Sequence, residues 1–274
     1  MRLSQTVVLA LAATPLLFSC TKEKPLHQRI SVTAADGSAL SEVVYIPLEG
    51  ASSFWNVQSD EAIDIFYKEA AVETSSWFHI TEVSQTAAGE YKISYTAQPR
   101  GNTLEKRSGT LSLVSPEHYL GAFLSVRQGY DKVWGHAFSG GEMSLLPGSS
   151  WTSGTMDGIS AVKEAWLAFS ARADELPGGG AATFPLEVTL TGGGYFKDIN
   201  RTSYQVDIQT ASQFGADNFY KLHIFNDGKV FSSESRIIFS VPAEKSSVIR
   251  LRDVSLYEIP VKGSGITGIS DSDE

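Results

Sequence analysis

From about residue 30 onward, apolar and polar residues alternate in short runs divided by turn residues, and no segment sustains a helical period. That pattern predicts an all-β chain. A first series of strands is expected at 29–33, 43–47, 62–68, 78–82, 90–97, 109–114 and 122–128. A second is expected at 165–173, 184–191, 203–209, 218–225, 236–241 and 248–258. Between them, residues 129–160 hold Gly140-Gly141, Pro147-Gly148, Gly154 and Gly158, which read as an exposed joint and an irregular entry. Each series is of ordinary size for a β-sandwich, so the predicted architecture is two sandwiches in tandem.

The amino terminus departs from this pattern. Arg2 precedes the apolar run Val7 to Ala13, and Leu17-Phe18-Ser19-Cys20 follows. A positive start, a short apolar core and a small residue before a cleavage point describe a secretory signal, too short for a permanent span. Leu17-Phe18-Ser19-Cys20 resembles a bacterial lipobox, and Cys20 is the only cysteine in the chain. The resemblance implies cleavage before Cys20, lipidation of that residue and an outer-membrane lipoprotein whose membrane face stays open. The expected layout is a signal at 1–19, a tether at 20–37, sandwiches at 38–130 and 131–262, and a disordered tail at 263–274.

Composition narrows the function. The 274 residues are 42% hydrophobic, enough for real cores, and carry 22 Lys and Arg against 31 Asp and Glu, a net charge of −9. No basic stripe is present to displace counterions, so nucleic acid is not an expected partner. One cysteine excludes an internal disulfide and a cysteine-based zinc cluster. The five histidines lie far apart, with no His-Glu-x-x-His pair, and no Gly-x-Ser-x-Gly elbow occurs. The runs Gly178-Gly179-Gly180 and Gly192-Gly193-Gly194 lack a following Lys-Ser/Thr and read as loops between strands. No enzyme is expected.

The first series carries Trp77-Phe78-His79-Ile80, Asn102, Arg107-Ser108-Gly109-Thr110-Leu111 and Val126-Arg127-Gln128. These resemble a BACON domain, an immunoglobulin-like sandwich. The resemblance implies that this unit is a spacer; Trp77, directly before a strand with apolar neighbours, is expected in its core, and no exposed aromatic pair that would bind sugar is expected on it. The second series ends on Arg252-Asp253-Val254-Ser255-Leu256, which resembles the last strand of galactose-binding-like jelly rolls. Glu142 ahead of Trp151 is weakly similar to the opening of carbohydrate-binding modules. That resemblance implies a glycan partner and a structural calcium on Asp253 and Glu142, against a simple salt bridge from Asp253 to Arg250 or Arg252.

Alternation assigns faces within the second series. Leu167 and Phe169 oppose Trp166; Leu186 and Val188 oppose Glu187. Val206 and Ile208 oppose Gln205 and Asp207; Leu222 and Ile224 oppose His223. An aromatic ring among amides, carboxylates and an imidazole suits sugar, the ring stacking and the polar groups bonding hydroxyls. Trp166, Glu187, Gln205, Asp207 and His223 are therefore the candidate carbohydrate groove, if their strands are neighbours. A plain solvated face is the competing reading, and other envelope proteins are then the expected partners.

Overall fold

The computed structural model describes residues 30–40, 42–70, 76–101, 103–117, 121–156, 159, 162–175, 177, 180–226, 231, 234–244, 247–260 and 266–267. The signal, Cys20, most of the tether and Asn102 lie outside the described residues. The chain is all-β, as its alternation predicts.

One sandwich is made of two sheets. The first orders β1 (Ile30–Ala34), β3 (Ala51–Ser59), β6 (Glu90–Ala97) and β5 (Phe78–Ala87). The second orders β19 (Ile266–Thr267), β2 (Val43–Ile46), β8 (Gly121–Gln128), β7 (Arg107–Val114) and β4 (Asp64–Glu69). Strand β2 runs parallel to β8, and the pairs β7/β8 and β4/β7 are antiparallel. The two layers enclose Trp55, Phe78, Ile93, Tyr95, Leu111, Leu113 and Val126. Trp55 lies 4.4 Å from Tyr95 and 5.8 Å from Phe78 between ring centroids, so large rings fill the centre of this core.

The residues that carry the BACON resemblance close one end of this sandwich. Trp77 is buried, and the Arg107 guanidinium sits 4.8 Å above its ring. Arg107 Nε donates to Gln128 Oε1 at 2.7 Å, and Gln128 Nε2 donates to the Pro47 carbonyl at 2.5 Å. Gln128 is fully buried, so these bonds satisfy an amide that would otherwise be costly. A Cβ on Gly109 would stand 2.2 Å from the Tyr67 hydroxyl, so only glycine lets that ring cross the strand. These motif residues are packing and bonding devices.

The other sandwich pairs β10 (Met143–Leu145), β18 (Ile249–Glu258), β12 (Glu164–Ala173), β16 (Phe219–Phe225) and β14 (Tyr195–Phe196), with β9 (Asp131–His136) also on β18. Its facing sheet orders β11 (Ser150–Thr152), β17 (Arg236–Ser240), β13 (Thr183–Thr191) and β15 (Ser203–Gln209). Leu167, Phe169, Leu186, Val188, Ile208, Ile224 and Phe239 meet between them. The inward residues are those that alternation assigns.

Three boundaries differ from the sequence reading. The strand expected at 29–33 forms as β1 and pairs with β3 along its whole length, so the first sandwich begins inside the stretch assigned to the tether. The segment read as an open joint holds β9, β10 and β11. Its start is pinned by Tyr130 N–H donating to the Leu104 carbonyl at 2.7 Å, with Tyr130 buried. The tail read as disordered contributes β19, parallel to β2. Between the two main cores lies a third apolar cluster, in which Leu104 and Tyr130 of the first unit meet Trp166, Ala168 and Tyr257 of the second.

Candidate functional site

The structure divides the five sequence-predicted groove residues between opposite faces of the second sandwich. Trp166 on β12 and His223 on β16 are direct cross-strand partners, their rings 4.6 Å apart. Both point outward from their sheet, yet they are only 6% and 5% exposed, because the first unit packs over Trp166. Lys221 Nζ caps the indole at 4.8 Å. This face is therefore closed to a ligand, which corrects the expectation of a Trp166 platform.

His223 Nε2 lies 2.6 Å from Glu164 Oε1, and Lys197 Nζ shares that oxygen at 3.1 Å. Burial pushes the imidazole below its ordinary value; the Glu164 charge pulls it upward, and Lys197 opposes that pull. Burial prevails, so the neutral ring is favoured against the indole.

Glu187, Gln205 and Asp207 are brought together on the outer face of the opposite sheet. Glu187 pairs with Gln205 across β13 and β15, and Gln205 Nε2 donates to Asp207 Oδ1 at 3.3 Å. Glu187 Oε1 accepts from Ser203 Oγ at 2.5 Å, and Thr189 Oγ1 donates to the same hydroxyl oxygen at 3.3 Å. The result is an exposed polar strip ending at Ser203.

Ser203 is also the rim of a cavity of about 720 Å³. The β13–β14 turn supplies Gly193, Gly194 and Tyr195; the turn into β15 supplies Asn200, Arg201, Thr202 and Ser203; the end of β16 supplies Asn226. The glycine run has a stated job here. Gly194 has φ +83°, and a Cβ on it would stand 2.8 Å from the Phe231 ring, so the turn lies flat on the buried Phe231 and leaves space above. Tyr195 is half-buried and held edge-on by Phe225 at 5.7 Å.

Asn226 is 2% exposed and anchored by its backbone N–H to the Lys163 carbonyl at 2.9 Å. Among the described residues its side-chain Nδ2 has no hydrogen-bond partner. An unsatisfied buried amide costs about 1–3 kcal/mol unless a ligand or water completes it. Arg201 is exposed, and its guanidinium makes no side-chain bond among the described residues. A half-buried ring, an amide donor, a guanidinium and hydroxyls thus converge on one concave site. Sequence reading missed Tyr195, Arg201 and Asn226. The available signal was the glycine run leading straight into an aromatic residue.

The proposed calcium pair is not assembled as a cage. Glu142 Oε1 accepts from Arg250 at 2.7 Å, and Arg250 also holds Asp174 at 2.6 and 3.0 Å. That hydrogen bond keeps the Asp174 carboxyl below its usual range. Asp253 sits at φ +52° where β18 bulges opposite β12, and its side chain is exposed. Its place in the motif is accounted for by backbone shape. Among the described residues no three of His, Cys, Asp and Glu converge to hold a metal.

The first unit does carry an exposed aromatic pair, contrary to expectation. Phe66 and Phe123 are 58% and 59% exposed. Each pairs with Ser112, so the three residues form one row across β4, β7 and β8, the rings about 9.6 Å apart at the backbone.

Compared with known proteins, the chain matches no family model, no curated protein and no solved structure.

Proposed function

We propose that this chain is a non-catalytic glycan-binding lipoprotein of the outer membrane, anchored through Cys20, with the first sandwich as spacer. The observation that carries the reading is the buried, unpartnered Asn226 amide in a cavity beside the Tyr195 ring. A sugar residue stacks on the ring while its hydroxyls meet the amide and, beyond the rim, Glu187 and Gln205. A multivalent glycan array is the test, since single contacts of this kind are weak and avidity raises them. Binding that disappears in Tyr195→Ala, with the thermal melt unchanged, supports the reading. Cys20→Ala is expected to abolish fatty-acid labelling and release the protein from membranes.

A second reading rests on Phe66 and Phe123. Two rings left in solvent on one row of a sheet suit an adhesive lipoprotein that meets another envelope protein. A silent array, with a co-purifying protein lost in Phe66→Ser/Phe123→Ser, favours it.

A further inference from the structure

We propose that the cavity selects a sugar residue bearing an anionic group, a carboxylate or a sulfate; this rests on the glycan-binding reading above. Among the described residues that line it, Arg201 contributes the one full charge, and no carboxylate stands beside it. Its guanidinium is unpaired there among the described residues, whereas Arg250 on β18 is held by two carboxylates. Asn226 Nδ2, 2% exposed, adds a second donor without an acceptor among the described residues. The Ser203 hydroxyl proton is already committed to Glu187. What the cavity lacks is an acceptor-only group, and carboxylate and sulfate oxygens supply one, accepting from a planar guanidinium in paired, charge-assisted bonds.

The surroundings sharpen this assignment. The chain carries a net charge of −9, so any attraction for a polyanion is local to this cavity and opposed elsewhere. Glu187 and Asp207 lie on the strip outside the rim, where they repel a second anionic group and accept from neutral hydroxyls. The favoured ligand therefore places an acidic residue in the cavity and hydroxyl-rich residues along the strip.

The test is an array of oligogalacturonates, oligoalginates, sialyl-lactose and heparin fragments beside cello-, xylo- and manno-oligosaccharides and lactose. It is probed with the full chain in detergent and with Arg201→Gln and Asn226→Asp. The expected result is binding to acidic glycans that falls about tenfold or more in both variants, as loss of a charge-assisted pair dictates. Arg201→Lys is expected to recover part of the binding, and both Arg201 variants to melt as the parent does, which keeps the test independent of any loss of stability in Asn226→Asp. Binding confined to neutral glycans, or acidic binding indifferent to Arg201→Gln, overturns the anionic assignment and leaves glycan binding standing. Silence on every glycan overturns both.

Discussion

The two outer faces of the second sandwich begin from the same sequence rule and end differently. On β12 and β16, outward-pointing Trp166 and His223 are buried beneath the first unit. On β13 and β15, outward-pointing Glu187, Gln205 and Asp207 stay in water, and the strip they form runs to an open cavity. Strand alternation decides which way a side chain leaves the sheet. It does not decide what waits there. A large apolar ring on an outward face is expensive to leave in water, so the ring that looked most suited to a ligand became the seal between the units. The smaller polar residues had no such drive and remained available.

The largest expected break in this comparison is Trp166→Ala. Truncating a tryptophan in a packed cluster costs about 3–5 kcal/mol, read as a fall in the urea midpoint. A loss near zero would mean that the covered face is not sealed by this ring. Gln128→Leu probes the bonded end of the first sandwich. It leaves Arg107 Nε and the Pro47 carbonyl without their partner, for an expected loss of about 1–3 kcal/mol in the same assay.

His223 gives a smaller, pH-dependent signature of the covered face. Its folded value is held below the ordinary 6.5, mainly by burial. As pH falls through 6.5, the unfolded chain takes up the proton first, so stability drops until the folded imidazole also titrates. Above 6.5 both states are neutral and the contribution is flat. Thermal melts between pH 5 and pH 8 are expected to show this acid-side decline, and His223→Gln to reduce it. The smallest effect belongs to Phe66→Ser/Phe123→Ser. Both rings are already solvated, so stability is expected to change by about 0.5 kcal/mol or less, while binding of a hydrophobic dye falls.

Much of the framework was legible. Strands β6 and β15 match the residues that alternation assigns, and most others differ by one to three at their ends. Strand β3 was missed because Ala51-Ser52-Ser53 opens it without an apolar beat, although Trp55 and Val57 then form the centre of the core. Strands β9, β10, β11 and β14 are two to six residues long, and the first three lie in a glycine-rich stretch whose composition resembles a linker. The polar strip could be read from period-two patterning alone. The cavity could not, because two turns and the end of β16 meet there only through strand order. The same holds for Phe66 and Phe123, whose shared row depends on β7 lying between β4 and β8.

The central claim is that a glycan meets the open tip of the second sandwich and not the covered face. Hydrogen–deuterium exchange of the full chain, with and without the strongest glycan from the array, tests it directly. The expected result is new protection confined to residues 192–203 and 226, with 164–170 and 219–223 unchanged. Protection over strands β4, β7 and β8, or none at the tip while the glycan is bound, would contradict it.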